Sequence, residues 1–447
     1  MSVAIVGAGI SGLAAGVFID DAIIFEANNS AGGWIQQAPQ ASGVVHDQAA
    51  NGWLSNEPTV PLLIAKLGLE SELLQASPAR SVRWVYHRDQ MCLVPSNPWQ
   101  LLGSPLLSVV AKLRLLLSPL LMGRNAKSNE SVAEFAQRHL GAGVLDTLLA
   151  PMVAGIFGAR PEELSVDAAF PLLRDLEQHG SLFAGIKARQ RQRRDRGEGA
   201  PILTTIRGGL GELTRAMVEH VGDRLQINTP IHSLEAHADG WVIRSGSQEW
   251  LFEKVLLACP AAAQARLLPS VPEMEALRLA LSAVKYADVV VAISEFESGC
   301  FEREPQGFGV LLSRAEQCSG PLGLLFSSNI FPSHVPDNRH LTRCILGGSP
   351  NPNILQLSDV EIRTAVEVLH QNLFGIRQQQ AMSISLIRHP QAIPCYGLDH
   401  PRLHQLVEDH HSAFPDLRLL GNHLFGVGIK DCIRNAWQQA QAIEGQL

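Results

Sequence analysis

Three glycines near the start of the chain, Gly7, Gly9 and Gly12, stand at G-x-G-x-x-G spacing in the run Gly7-Ala8-Gly9-Ile10-Ser11-Gly12. Such a run lets a backbone turn tightly and approach a pyrophosphate closely. Its chemistry is binding: amide N–H groups and the positive end of a following helix hold phosphate oxygens. An acid, Glu26, follows Gly12 by fourteen residues. A carboxylate at that place accepts hydrogen bonds from the ribose hydroxyls of a dinucleotide. The usual acid lies about 20 residues further on, so the intervening helix is predicted to be shorter by about one turn.

These residues need a strand, a helix and a second strand to position them. Val3-Ala4-Ile5-Val6 is a short apolar run that reads as a buried parallel strand. Leu13-Ala14-Ala15-Gly16-Val17 continues into a helix, and Ala22-Ile23-Ile24-Phe25 is the second strand, closed by Glu26. Ala27-Asn28-Asn29-Ser30-Ala31-Gly32-Gly33-Trp34 comes next. With Glu26 it resembles the E-A-x(4)-G-G-[R/W] segment of the flavin amine-oxidase superfamily. The resemblance implies FAD, rather than NAD, as the cofactor.

Composition narrows the function classes. At 447 residues, 46% hydrophobic and 18% charged, the chain is a cored protein of two or three domains. A net charge of −7 argues against a nucleic-acid partner. Seven scattered cysteines without a Cys-x-x-Cys pair read as reduced thiols of a cytoplasmic protein. The 16 histidines show no metal-ligand spacing, so no metal site is expected, and His410-His411 is expected on a solvated surface. No signal peptide is visible. Leu101 to Met122 is the most apolar stretch, but Lys112, Arg114, Pro105 and Pro119 make it a poor membrane span.

Further along, residues 60 to 80 read as a helix with Leu62, Leu63, Leu67 and Leu69 on one face. Trp84-Val85-Tyr86 and Met91-Cys92-Leu93-Val94 read as a hairpin. Ser96 to about Ala200 reads as mainly helical, punctuated by Pro151, Pro161 and Pro171. The basic run Lys187 to Arg196 reads as a solvated helix face or as a surface for an anionic partner such as phospholipid headgroups. A turn at Arg207-Gly208-Gly209-Leu210-Gly211 precedes a helix from Glu212. Strands at Leu225–Asn228, Trp241–Ile243 and Val255–Cys259 are expected to rejoin the cofactor domain. Residues 261 to about 415 form a second lobe, with strands at 289–291 and 309–311, and a helix from Asp431 closes the chain. The expected division is 1–80 for the first segment of the FAD domain, 81–200 for a helical domain and 201–260 for the second FAD segment. The substrate domain follows at 261–415, and 416–447 closes the FAD domain.

The closing segment, Gly421-Asn422-His423-Leu424-Phe425-Gly426-Val427-Gly428-Ile429-Lys430-Asp431, resembles the C-terminal FAD-binding segment of oxygen-dependent protoporphyrinogen oxidases. Leu164-Ser165-Val166, Phe170-Pro171 and Glu177 to Leu182 resemble that family's L-S-V, F-P and E-x-x-x-S-L stretches. Arg207 to Leu210 resembles its G-G-L turn. Ile393-Pro394-Cys395-Tyr396 with His400 resembles its I-P-x-Y and G-H, with Asp399 in place of the glycine.

The resemblance implies an α/β fold. It comprises an FAD-binding Rossmann-like domain of flavin amine-oxidase type, a mixed α/β substrate domain and a helical membrane-associated domain. It implies oxidation of protoporphyrinogen IX to protoporphyrin IX in three two-electron steps, by hydride transfer from a meso carbon to flavin N5, with dioxygen as acceptor. Its implied partners are the porphyrinogen, dioxygen, an anionic membrane surface on the inner face of the cell membrane, and a downstream chelatase. Coproporphyrinogen III oxidation, or an amine oxidase or desaturase on the same fold, is the alternative. Cofactor contacts carry over to Gly7, Ala8, Gly9, Ile10, Ser11, Gly12, Glu26, Ala27, Gly33, Trp34, Ala49, Ala50, Asn51, Gly52, Ile231, Asn422, Val427, Gly428 and Ile429. No side chain is implied as a catalytic group, the chemistry being flavin-centred. Substrate contacts carry over to Asn51, Ala159, Leu325 and Phe326. Two stretches depart from the family: Ala49-Ala50 stands where it has Gly-Pro, and Gly158-Ala159-Arg160 where it has Ala-Gly-Asp. The methyl of Ala159 adds bulk in the expected substrate pocket.

Overall fold

A computed structural model describes residues 2–36, 43–77, 82–95, 98–114, 129–177, 182–197, 199–317, 320–376 and 383–445. They divide into two compact units. The first is Met1–Gln75 with Ile202–Val284 and Pro401–Leu447; the second is Ala76–Pro201 with Lys285–His400.

The first unit is built on a five-stranded parallel sheet. Strand Val3–Val6 pairs with Ala22–Phe25 on one side and Lys254–Leu257 on the other. Leu225–Gln226 extends the first side and Leu417–Leu419 the second. Strand order therefore reverses at Val3–Val6, which makes the carboxyl ends of Val3–Val6 and Lys254–Leu257 the switch point where doubly wound sheets have their crevice. Ligands of doubly wound sheets bind in such a crevice. Helix Ile10–Phe18 spans nine residues, as the short spacing to Glu26 predicts. It lies so close to the sheet that a Cβ on Gly16 would sit 2.4 Å from Ile24 Cδ1. Helix Leu210–Val221 buries Leu213 and Met217 in the same core. Helix Ile429–Ile443 adds Ile433, Ala436 and Ala440, an i, i+3, i+7 stripe.

Several sequence expectations shift here. Of the helix expected at 60 to 80, the described residues form Thr59–Lys66 and a 3-10 turn at Glu70–Glu72, and residues 78–80 lie outside the described residues. Gly68 at φ +66° breaks the helix, and Leu73–Gln75 pairs instead with strand Leu203–Ile206. Trp241–Ile243 does not join the parallel sheet; it is the centre of an antiparallel sheet of Ser233–His237, Gly240–Ser245 and Gln248–Phe252. The helix expected from Glu212 starts at Leu210, because the Leu210 N–H donates to Asp47 Oδ1 at 2.7 Å. The helix expected from Asp431 starts at Ile429. His410 and His411 are both buried, not solvated. Adjacent residues on helix His400–Ala413 reach different partners on the chain that turns back beneath it: His410 Nε2 donates to Leu417 O, and the Leu419 N–H donates to His411 Nε2. Burial holds both imidazoles neutral, at about 4 and about 3 against an ordinary 6.5.

The second unit carries a seven-stranded sheet in the order Ser383–Pro394, Tyr286–Glu297, Arg339–Gly347, Pro321–Leu325, Gly309–Leu312, Arg83–His87, Gln90–Leu93. The expected hairpin is present, its turn made by Arg88 and Asp89 at φ +52° and +58°. Helix Asp359–Phe374, opened by a Ser358/Glu361 capping box, covers one face. The described residues between 98 and 195 are mainly helical, with Pro171 opening the helix Pro171–Glu177. Residues 115–122 of the apolar stretch and 178–181 of the E-x-x-x-S-L motif lie outside the described residues. Among the described residues no helix is long and apolar enough to cross a membrane.

Candidate cofactor site

The site begins where strand Val3–Val6 ends. Gly7 donates its N–H to Phe25 O at 2.7 Å and turns at φ +108°. A Cβ there would meet Ala258 C at 2.9 Å, so the turn lies against the end of strand Lys254–Leu257. A Cβ on Gly12 would fall 1.9 Å from Gly7 O, so packing alone requires both glycines. Gly9 is different. Its backbone is extended, at φ −72° and ψ −177°, and a Cβ would meet nothing within 4 Å. Internal packing does not explain a glycine there; a pyrophosphate laid over the turn does. Gly9 caps helix Ile10–Phe18 without a side-chain hydrogen bond, and the first turn holds no acid. The helix therefore offers its amides and the positive end of its dipole to an anion.

Glu26 is 8% exposed. Its Oε2 accepts the Ala8 N–H at 2.8 Å, and its Oε1 accepts the Asn28 N–H at 2.9 Å and Asn28 Nδ2 at 2.7 Å. The acid thus locks the phosphate turn to the end of the second strand. A carboxylate oxygen accepts about two hydrogen bonds, so Oε2 retains capacity for a ribose hydroxyl. Ala27 beside it is exposed. The loop that carries the half-buried Ile231 is tied to this point, with Thr229 N–H donating to Glu26 O and Asn228 N–H to Asn28 O.

The paired glycines lie directly on the phosphate turn. Gly32 bridges Gly9 and donates its N–H to Ala8 O at 2.8 Å, and Gly33 at φ +57° would place a Cβ 3.3 Å from Gly9 Cα. Trp34 follows, 41% exposed. Ala49 and Ala50 pack against the core of this unit. Gly52, at φ +151°, is required by the chain itself, since a Cβ would lie 2.4 Å from Thr204 O.

The far end of the chain meets the same core. Ser11 of the first helix hydrogen-bonds Cys432, whose thiol burial pushes up to about 11. Gly428 caps helix Ile429–Ile443 without a side-chain bond, and the acid Asp431 stands in the first turn of this helix. Arg434 shapes the loop before it, donating to Phe425 O at 2.9 Å and pairing with Asp431 at 2.8 Å and Glu57 at 3.3 Å. Asn422, Val427 and Gly428 are half-buried on this loop and Ile429 is buried.

In the second unit, Gly158 in the left-handed region ends helix Ala150–Phe157, and Ala159 behind it is fully buried. Ala159 lines a cavity of about 260 Å3 with Arg160, Pro161, Arg314 and Gln317. Arg314 is neutralised there by Glu162 and Asp146. Leu325 is half-buried, whereas Phe326 is buried edge-on against Phe374, in the core beneath helix Asp359–Phe374. The motifs that carried the family resemblance meet one another in this unit. Ser165 N–H donates to Tyr396 O; Phe157 packs on Phe170 and Tyr396; Tyr396 stacks on His400 at 4.1 Å. Glu177 joins Glu130, Arg138, His139, Arg174 and Asp167 in a largely buried ion cluster. The two arginines hold the Glu177 carboxyl down to about 2.

Sequence reasoning missed three residues that shape the cofactor unit: Asp47, Gln264 and His423. Asp47 is 3% exposed and its Oδ1 would lie 2.8 Å from a Cβ on Gly209, which is why the turn there is Gly-Gly-Leu. A lone glutamine in the apolar helix Ala261–Leu267 was the available signal for Gln264.

A parallel sheet reversing at a glycine turn, with a buried acid closing the second strand and both chain ends on one core, is a doubly wound fold of dinucleotide-binding type. The chain belongs to the family of flavin-containing amine oxidoreductases, which it matches over residues 10–444. It is 29% identical to the mitochondrial protoporphyrinogen oxidase of Nicotiana tabacum, over 99% of this chain and 94% of the relative. It is 25% identical to the coproporphyrinogen III oxidase of Bacillus subtilis (strain 168), over 96% of this chain and 95% of that one. Cyclohexylamine oxidase from Brevibacterium oxydans has the same fold, with a TM-score of 0.74 at 17% identity, covering 100% of this chain and 99% of that one. The protein is an FAD-dependent oxidoreductase.

Proposed function

We propose that this enzyme oxidises a porphyrinogen, with protoporphyrinogen IX as the preferred substrate, protoporphyrin IX as the product and dioxygen as the electron acceptor. The supporting observation is the end-to-end likeness to protoporphyrinogen oxidases, which spans the helical region as well as the cofactor unit. Bound FAD supplies the hydride acceptor and its reoxidation by dioxygen. The chain's own part is to hold and orient. Gly7 to Gly12 and the first helix N-terminus hold the pyrophosphate, and Glu26 takes the ribose, with Ile231 and Ala27 on the adenine side. Trp34, Ala49 to Gly52, Asn422 and Val427 to Ile429 lie along the pyrophosphate and the flavin. The N-terminus of helix Ile429–Ile443 favours negative charge nearby, a share of which Asp431 in its first turn already takes.

On the substrate side, Leu325 lines the macrocycle, Asn51 serves a propionate and Ala159 narrows the pocket. Phe326, spent on the core, supports that wall from behind. A peripheral attachment to an anionic membrane on its cytoplasmic face fits helix Leu182–Asp195, where Lys187, Arg189, Arg191 and Arg194 are exposed beside Ile186. Handover to a chelatase there would follow from the product's chemistry. Cosedimentation with anionic vesicles, lost in salt and on neutralising Arg189, Arg191, Arg193 and Arg194, tests the attachment.

A second reading, coproporphyrinogen III as substrate, is favoured by the full-length likeness to the Bacillus subtilis enzyme. Turnover of the two porphyrinogens under air, with flavin occupancy recorded in each sample, separates the readings. Faster porphyrin formation from protoporphyrinogen IX is expected. A flavin-loaded preparation that forms porphyrin from neither substrate overturns both.

A further inference from the structure

Gln264 is fully buried, and its side chain stands where a pair of strands runs out. Lys254–Leu257 and Leu417–Leu419 are paired up to Leu257 and Leu419. The Leu420 N–H still donates to Leu257 O at 2.8 Å. Beyond that, one chain leaves through Cys259 into helix Ala261–Leu267 and the other through Gly421 into the loop that ends at Gly428. Gln264 Nε2 fills the fork. It lies 2.8 Å from Leu257 O, 2.9 Å from Cys259 O and 2.6 Å from Leu420 O.

Three carbonyls around one atom fix the amide's orientation, because only the NH2 end can donate. Gln264 Oε1 must then be the atom facing His423, and it accepts from His423 Nε2 at 3.1 Å. His423 is therefore protonated at Nε2. Its ring is 1% exposed and folds back on Gly421, whose φ of +145° and missing Cβ leave room for it; a Cβ there would fall 2.4 Å from His423 Cε1. On the other side, Ala258 and Cys259 abut Gly7 of the phosphate turn.

We infer that Gln264 and His423 are positioning residues for the cofactor: together they clamp the closing loop, Gly421 to Gly428, in register with the phosphate turn and so set how tightly FAD is held. The inference rests on the reading of that loop as one edge of the FAD site. Buried carbonyls deprived of a donor carry the full desolvation penalty, so the clamp is sensitive to the loss of an N–H while its shape is kept. Gln264→Glu does that: the side chain is nearly the same size, but an ionised carboxylate cannot donate to three carbonyls. His423→Leu removes the donor to Oε1, whereas His423→Gln can restore an N–H at nearly the Nε2 position.

The test measures FAD affinity of each variant by titrating apoprotein with FAD and following quenching of flavin fluorescence, with apoprotein melting recorded alongside. Gln264→Glu and His423→Leu are expected to weaken binding by about tenfold or more. His423→Gln is expected to stay within about threefold of the parent. Binding of Gln264→Glu is expected to recover as pH falls and the carboxyl regains a proton. Leu277→Ala, a core truncation on helix Pro272–Ser282 of the same unit, is expected to lower melting without weakening FAD binding. Gly428→Val tests the loop reading separately and is read against apoprotein melting, because its Cβ would also meet Asp431 Oδ2 at 2.9 Å: weaker FAD binding at an unchanged melting temperature is expected only if the loop borders the cofactor. The inference is overturned if Gln264→Glu and His423→Leu bind FAD like the parent while Gly428→Val does not. It is also overturned if His423→Gln is as impaired as His423→Leu. Unchanged binding in Gly428→Val as well refutes the loop reading beneath it.

Discussion

Replacing Gly9 by alanine separates what the ligand demands from what the fold demands. The backbone at Gly9 is extended and open to any L-residue, and the added methyl meets no protein atom within 4 Å. An alanine compatible with its site restricts the unfolded chain and stabilises by about 0.4–1 kcal/mol. The FAD-free protein should therefore melt at the parent temperature or slightly above it. The same methyl would project toward the phosphates, where overpacking costs about 1–3 kcal/mol. Affinity for FAD should fall by roughly five- to hundredfold. Gly12→Ala is the contrast, since its Cβ falls 1.9 Å from Gly7 O and must displace backbone. That variant should lose both melting temperature and FAD. The assay is thermal unfolding of the apoprotein, paired with FAD titration. If Gly9→Ala binds FAD like the parent, or destabilises the apoprotein as Gly12→Ala does, the cofactor does not lie over this turn.

Other outcomes follow from the same structure. Glu26→Ala should weaken FAD binding by at least tenfold, because it removes the ribose acceptor and leaves the buried Ala8 N–H without its carboxylate; an unchanged titration would contradict the ribose assignment. His410 and His411 are neutral in the fold but titrate near 6.5 when unfolded, so the unfolded chain binds more protons between pH 6.5 and about 4. Their contribution to stability is complete above pH 6.5 and is lost as pH falls through that window. Denaturant unfolding at pH 7.5 and 5 should show the loss, and His411→Phe should flatten the slope. Glu130→Ala takes one carboxylate from Arg138 and Arg174, which keep Glu177 and Asp167, and should cost about 1.5–3 kcal/mol of stability. Melting with flavin content checks it: the unfolding temperature drops while the folded fraction keeps its FAD.

The cofactor half of this reading was legible because its signals are local. Gly7 to Gly12 and Gly32-Gly33 declare backbone conformations, and the short gap to Glu26 points to a first helix about one turn shorter than usual; it spans nine residues. What stayed hidden depends on partners distant in sequence. His410-His411 looked polar and exposed until Leu417 and Leu419 folded under it. Trp241–Ile243 has the pattern of any buried strand, and nothing in it says which sheet it joins. Leu73–Gln75 reads as helix in the sequence because its strand partner, Leu203–Ile206, lies some 130 positions away. Family motifs were legible as motifs but not as physics. Leu164-Ser165-Val166, Phe170 and Ile393 to Tyr396 belong together because they form one backbone hydrogen bond and one aromatic cluster. Leu325 and Phe326 look alike in sequence, but alternation of side chains along the chain sends Phe326 to the core.

The most direct test of the central claim is the flavin's own colour in a sealed cuvette. Under anaerobic conditions, protoporphyrinogen IX added to the FAD-loaded enzyme is predicted to bleach the oxidised flavin band, each flavin taking one of the three electron pairs, and admission of air is predicted to restore the band while porphyrin fluorescence rises. A flavin that stays oxidised with protoporphyrinogen IX and coproporphyrinogen III alike, yet bleaches with an amine, would contradict the account.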